Sequence, residues 1–538
     1  MEARESANVA RFLALRAQEQ PGTCAVMAPR GRDSSGRILY ERLTFAELHS
    51  QSDQLAHAMA GKGISRGMRV LLMVRPGSDL IRTCFALFKV GAVPVVIDPG
   101  MGLKHFLKCV ERTRPEALVG IPLAQFLGRV FRRSFAGVKH RVRVGRGFAN
   151  WYGRASREAF PIDEPGPDQL AAILFTSGST GPPKGVCYGH GQFDAQVRVI
   201  RETFGIEPGE VDLPMLPVFA LFNPALGMTT VVPEINPGKP ATADPEKLLQ
   251  AIEQCGVTNS FGSPVLWRKL GRHAARTGRS FPGLRRILMA GAPVPPSLVR
   301  MLQPVFPEAR LWSPYGATEC LPVSCIDGQT ILEKSSALTV NGAGTCVGFP
   351  VAGVRVRIIA IKEGPIRELE TAVGLPAGEI GEIIATGPSV TKSYDALPDA
   401  TRKAKIRDGD GTIWHRMGDA GYLDEDDRLW FCGRIAERVL TREGPLYTDC
   451  CEGIFNDLPG VRRSALIGLG ERPAQEPAIV IEPEPGESPT EQEVLKVAAA
   501  HALTRNIRKV FFSPGFPVDV RHNAKIHRLT LAQQFDKR

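Results

Sequence analysis

Short apolar runs alternate with helical periodicities along the first part of the chain. Val70-Leu71-Leu72-Met73-Val74, Val93 to Ile97 and Ala117-Leu118-Val119 are continuously apolar, the signature of strands buried on both faces. Leu80 to Lys89 carries apolar residues at helical spacing between two of them. Buried strands joined by helices predict parallel sheets with crossover connections. A polar, proline-rich passage, Pro161-Ile162-Asp163-Glu164-Pro165-Gly166-Pro167, precedes a further apolar run, Ala171-Ala172-Ile173-Leu174-Phe175. Past residue 345 the pattern turns to short strands and turns, as in Val354 to Ile359 and Glu379 to Ala385, and predicts a small β-rich subdomain. After Gly433-Arg434 helix and strand alternate again, consistent with a compact α+β cap. The expected fold class is α/β with several subdomains.

Composition sharpens this only a little. A chain of 538 residues exceeds what one hydrophobic core supports, so several domains are expected. At 43% apolar and 23% charged residues the composition is that of an ordinary globular protein. The best transmembrane candidate, Phe85 to Ile97, is interrupted by Lys89 and Pro94 and is too short to span. Met1-Glu2-Ala3-Arg4-Glu5-Ser6 lacks the apolar core of a signal peptide. The cysteines number 11, odd and without paired metal spacing, which suits reduced thiols. Together these features predict a soluble cytoplasmic protein.

The net charge of +11 is concentrated. Arg129, Arg132, Arg133, Lys139, Arg141, Arg143, Arg146 and Arg154 lie in one stretch without an acid, interleaved with Val130, Phe131, Phe135, Phe148, Trp151 and Tyr152. No nucleic-acid recognition motif accompanies them, and no nucleic-acid partner is expected. A solvated face and a docking surface for a partner protein or an anionic membrane both fit this pattern.

The apolar run ending at Phe175 leads into Thr176-Ser177-Gly178-Ser179-Thr180-Gly181-Pro182-Pro183-Lys184, followed by Gly185-Val186. Glycine lets backbone approach a ligand closely, and successive N–H groups in such a loop form an anion-binding concavity. Hydroxyls and one ammonium add donors suited to a triphosphate. The common P-loop is excluded, because Pro183 stands where its last glycine belongs and Gly185 follows the lysine.

This loop resembles the phosphate-binding loop of the adenylate-forming superfamily, which includes acyl-CoA synthetases, luciferases and peptide-synthetase adenylation domains. The other motifs follow in order. Leu43-Thr44-Phe45-Ala46-Glu47-Leu48 and Phe88-Lys89-Val90-Gly91-Ala92-Val93-Pro94 resemble the two early core motifs. Gly291-Ala292-Pro293 resembles the adenine-binding turn and Tyr315-Gly316-Ala317-Thr318-Glu319 the magnesium and adenylate motif. Gly418-Asp419, Gly433-Arg434 and Asn523-Ala524-Lys525 resemble the ribose motif, the start of the hinge and the C-terminal lysine motif. The resemblance implies a large N-terminal domain over residues 1–433 and a small mobile C-terminal domain over residues 434–538. It implies ATP and Mg2+, with Glu319 and Thr176 at the metal and Thr318 at the phosphate. Asp419 would take both ribose hydroxyls, since a carboxylate accepts two hydrogen bonds from a diol. Arg434 would reach ribose or phosphate, and Lys525 would bridge the substrate carboxylate and the α-phosphate. Converging cations are what the reaction needs, because it brings two anions together.

Departures from the superfamily pattern concern the second step. Ala436 stands at the hinge position usually held by Asp or Lys, Thr448 and Cys450 replace the following proline and glutamate, and Ala524 replaces a glycine. Thioester-forming members turn this region toward the pantetheine tunnel, so its alteration speaks against CoA use. Ala220 stands where acyl-CoA synthetases commonly have a gating histidine, leaving that volume apolar. The segments 217–227, Tyr315 to Val323, Gly342 to Gly348 and Leu429 to Arg434 resemble the β-lactone synthetases of bacterial long-chain olefin biosynthesis. In that family a 2-alkyl-3-hydroxy fatty acid is adenylated, and its own 3-hydroxyl then expels AMP to close a β-lactone. The second step needs no second substrate, because nucleophile and electrophile share one molecule. His190 is a candidate base for it, with packing of the phosphate loop as its other reading. The partners implied are a long-chain hydroxy fatty acid and other enzymes of the olefin pathway, with at most peripheral membrane contact. A long-chain fatty acyl-CoA synthetase, an adenylation domain feeding a carrier protein and a non-catalytic assembly module stay open as alternatives.

Overall fold

The computed structural model describes residues 7–176, 182–216, 220–236, 239, 242–519 and 525–536. It has a large multi-sheet α/β N-terminal part and a smaller C-terminal part. A seven-stranded sheet runs in the order Ser393–Tyr394, Lys184–Gly189, Leu170–Thr176, Val93–Val96, Arg69–Met73, Ala117–Gly120, His140–Arg143. From Leu170–Thr176 onward its strands are parallel, and Lys184–Gly189 returns antiparallel as a hairpin. The continuously apolar runs form these central strands, and Ser78–Val90 is the helix expected between two of them.

A second sheet of 14 strands joins two styles of pairing. Arg310–Ala317, Arg286–Met289, Asn259–Gly262, Val211–Pro214, Thr229–Val231 and Cys24–Arg32 pair in parallel. On the other side, Cys320–Asp327, Thr345–Pro350, Leu429–Arg434, Ile413–Leu423, Gly381–Thr386 and Arg355–Ile359 are antiparallel. The β-rich segment expected past residue 345 is therefore hydrogen-bonded into the larger sheet, through Ser324 opposite Pro350 and Cys325 opposite Phe349. The C-terminal part holds the Val439–Thr441 and Gly444–Leu446 hairpin and a three-stranded sheet of Val461–Leu469, Glu476–Pro483 and Lys509–Phe512.

The two early core motifs fasten one helix pair. Thr44 and Glu47 form a capping box at the start of Phe45–Gly61, with Glu47 Oε2 accepting from the Thr44 N–H at 2.8 Å. On the facing helix the fully buried Lys89 donates to Asp53 at 2.6 Å and to the His49 carbonyl at 3.1 Å. Burial pushes Lys89 down to about 8, with Asp53 opposing the shift. All 11 cysteines are free thiols. Among the described residues no helix is long and apolar enough to cross a membrane.

Candidate active site

The site gathers at strand ends, where open α/β sheets bind ligands. Leu170–Thr176 ends at the phosphate loop, whose residues Ser177, Gly178, Ser179, Thr180 and Gly181 lie outside the described residues, as does the Thr176 side chain. The hairpin resumes at Lys184, whose ammonium sits 5.0 Å from the centre of the Tyr394 ring. The Tyr394 hydroxyl donates to Glu319 Oε1 at 2.7 Å. One tyrosine thus brings Lys184 and Glu319 to the same place. Burial, and then the Glu319 charge, pushes the Tyr394 hydroxyl upward, so it stays protonated as a donor.

Glu319 and Thr318 occupy the tight turn between Arg310–Ala317 and Cys320–Asp327. A Cβ at Gly316 would lie 2.6 Å from the Cys320 carbonyl oxygen, so only glycine closes that turn. The turn is held from outside: Tyr188 donates to the Thr318 carbonyl, and the Thr391 N–H donates to the Glu319 carbonyl at 2.9 Å. Lys405, buried, donates to the Thr391 carbonyl and is pushed down to about 8 by burial, against the pull of Glu319. His415, opposite it on the neighbouring strand, is held well below its usual range by burial, then by Lys405, Lys184 and Arg434.

The ribose motif forms a second cluster. Asp419 lies directly opposite Arg434 in the ladder between Ile413–Leu423 and Leu429–Arg434, with Arg434 Nη1 3.0 Å from Asp419 Oδ1. Tyr315, from the same turn segment as Glu319, donates to Asp419 Oδ2 at 2.6 Å. Burial raises the Asp419 carboxyl, and the positive charges of Arg434 and Lys525 act to lower it. Lys525 therefore stands within electrostatic reach of Asp419. The Lys525 carbonyl accepts from the Asp519 N–H at 2.9 Å. Three residues on, Arg528 binds Glu437 at 2.8 Å and Glu452 at 2.6 Å. Gly291, Ala292 and Pro293 follow the Arg286–Met289 strand at its carboxyl end.

His190 is placed elsewhere. In the hairpin Thr176 faces Lys184 while Leu170 faces Gly189, so His190 follows the end opposite the phosphate loop. Five strand residues separate the two ends, about 17 Å. His190 is 2% exposed, and burial together with Arg66 pushes it down to about 4. The hairpin thus sets it away from Lys184 along the strand. Tyr394, Tyr188, Lys405 and His415 went unnoticed in the sequence. Each lies outside the recognised motifs; only the fold brings Tyr394 and Lys405 toward Glu319, Tyr188 to Thr318 and His415 beside Lys405.

Cations at the strand ends, facing a carboxylate suited to a ribose diol, are what transfer of AMP to an acid requires. The chain belongs to that class: the AMP-binding enzyme family matches residues 13–395. Over 98% of its length it is 45% identical to the Olefin beta-lactone synthetase of Xanthomonas campestris pv. campestris, 97% of which is covered. The Olefin beta-lactone synthetase of Stenotrophomonas maltophilia matches equally, at 45% over 98% of this chain and 97% of the relative. The fold is shared with ATP-bound MatB from Rhodopseudomonas palustris, at a TM-score of 0.80, 22% identity and 99% coverage of both chains.

Proposed function

We propose that the protein activates a long-chain 2-alkyl-3-hydroxy fatty acid as its acyl adenylate and closes it to a β-lactone, releasing AMP and pyrophosphate. The observation that carries this reading is the full-length likeness to the olefin β-lactone synthetases. In the first step a carboxylate oxygen attacks the α-phosphorus of ATP and pyrophosphate leaves. Lys525 steadies the two anions as they meet, and Lys184 holds the departing phosphates. Asp419 and Arg434 orient the ribose, with Tyr315 fixing the carboxylate. The phosphate-loop residues cradle the triphosphate. Gly291, Ala292 and Pro293 receive the adenine, with Gly316 closing the turn beneath.

Mg2+ fits at Glu319: Tyr394 holds Oε1, and among the described residues Oε2 takes no hydrogen bond, leaving a hard oxygen donor. Thr176 would be its second protein ligand. When bound, the ion supplies charge neutralisation on the phosphates.

In the second step the 3-hydroxyl oxygen bonds to the acyl carbon, the bond from that carbon to the phosphate oxygen breaks, and AMP departs with the electron pair. The hydroxyl proton passes to a base, for which His190 is the candidate from sequence. The chain works as two units, 1–433 and 434–538, hinged at Arg434 to Ala436, in the cytoplasm and alongside other enzymes of the olefin pathway. Incubation with ATP, Mg2+ and a racemic 2-alkyl-3-hydroxy acid, with and without CoA, tests the reading. The expected product is lighter than the acid by one water and forms without CoA. A thioester formed only with CoA would make the protein an acyl-CoA synthetase.

A further inference from the structure

We propose that the Pro122–Val130 helix and the basic residues around it dock this protein onto an anionic lipid surface. The helix is built inside out. It buries Ala124, Gln125 and Gly128 and turns Leu123, Phe126 and Val130 to solvent, at 60%, 60% and 53% exposure. Those three positions, spaced i, i+3 and i+7, form one apolar stripe.

The inner face is committed, so the helix cannot roll over to hide the stripe. Gln125 donates to the Val142 carbonyl at 2.8 Å, and a Cβ at Gly128 would lie 2.6 Å from Arg141 Nη1. Leu103, 49% exposed, opens the neighbouring helix, and both helices pack on one cluster containing Phe106, Cys109 and Ala124.

Charge frames the stripe. Arg129, Arg132 and Arg133 are exposed at and beyond its C-terminal end, and Arg143 and Arg146 are exposed at the end of the adjoining edge strand and just after it. Among the described residues none of these five arginines makes a salt bridge. Arg141 differs: it donates to the Gly128 carbonyl at 3.1 Å and braces the helix from within. A convex apolar ridge rimmed by guanidinium groups matches the boundary between acyl chains and anionic headgroups, which deforms around a projecting helix. An acidic protein would have to supply a complementary apolar groove.

Position supports the same occupant. Ala117–Gly120 and Leu170–Thr176 are parallel members of one sheet, so this helix starts at the edge from which the phosphate loop emerges. Three strand spacings, about 14 Å, separate the two strands. An acid with long alkyl chains partitions into lipid, so an enzyme seated there would meet its substrate; this clause alone rests on the proposed function.

Co-sedimentation of the full chain with phosphatidylglycerol/phosphatidylcholine vesicles tests the proposal without any substrate, so its failure leaves the lactone reading untouched. Binding is expected at low salt, and weakened about tenfold or more at high salt, in Phe126→Glu/Val130→Glu and in Arg132→Glu/Arg133→Glu. Adenylation of a water-soluble short-chain 3-hydroxy acid should stay unchanged in these variants, establishing that they fold. No pelleting of the wild type with phosphatidylglycerol, or undiminished pelleting of Phe126→Glu/Val130→Glu, would overturn the proposal. So would inert vesicles together with capture of an acidic protein through Arg132 and Arg133.

Discussion

The strands that carry Asp419 and Arg434 and the Thr448–Phe455 helix differ in what holds them. Asp419 is held by ionic and polar contacts, Arg434 at 3.0 Å and Tyr315 at 2.6 Å, under the positive charge of Lys525. One residue along the same ladder, the packing turns apolar. Cys432 and Cys450 join Ala420 in a buried cluster flanked by Tyr422, Ile435 and Tyr447. A Cβ at Gly433 would lie 2.1 Å from Thr448 Oγ1, so the helix Thr448–Phe455 starts hard against the strand. Beside it is a cavity of 260 Å³ lined by Gly342, Tyr422, Tyr447, Cys450 and Leu503. In the proposed function the charged side binds the nucleotide. The apolar side carries Thr448 and Cys450, the positions that depart from the superfamily pattern.

Lys525→Ala breaks the charged side most severely. Losing one donor to charge that develops in the transition state lowers the rate about 10²–10³-fold. Adenylate formation should fall by that factor in pyrophosphate exchange while ATP binding largely survives; a near wild-type rate would remove Lys525 from the site. Glu319→Ala comes next, with a lower rate and a raised magnesium requirement in a metal titration. An unchanged metal dependence would show that Glu319 is no ligand.

Tyr394→Phe is the milder probe of the same side. It deletes a hydrogen bond to a charged group, worth about 1.5–3 kcal/mol, and leaves the ring beneath Lys184. We expect roughly tenfold slower adenylation, shared between Lys184 and Glu319; no change would mean that the two are positioned independently.

The smallest effect is expected across the junction. The Thr345 hydroxyl donates to Asp449 at 3.1 Å, and burial, then Glu452, pushes the Asp449 carboxyl up to about 7. Between about pH 4 and pH 7 the unfolded chain gives up this proton while the folded chain keeps it. The group's stabilisation is therefore full below about pH 4 and lost as pH rises toward 7. Asp449→Asn should gain thermal midpoint relative to wild type over that range, and a constant difference would contradict the assignment.

What the sequence made legible was what short-range chemistry dictates. Continuous apolar runs marked the central strands, and the Ser/Gly loop with Lys184 is a contiguous motif. Long-range partners were not legible. Nothing near Lys89 announces Asp53, and Tyr394 reaches Glu319 across 75 residues. His190 is near Lys184 in sequence, yet the antiparallel hairpin sets it at the other end of the strand. The basic stretch looked uniform, yet Arg141 is an internal brace and its neighbours are exposed.

The central claim is that the substrate's own hydroxyl is the second-step nucleophile. AMP release should be followed without CoA for a 2-alkyl-3-hydroxy acid and for the same acid lacking the 3-hydroxyl. The account predicts multiple turnovers and a lactone from the first. It predicts a stalled, enzyme-bound adenylate or slow hydrolysis from the second. Rapid turnover of the deoxy acid, dependent on added CoA, would contradict it.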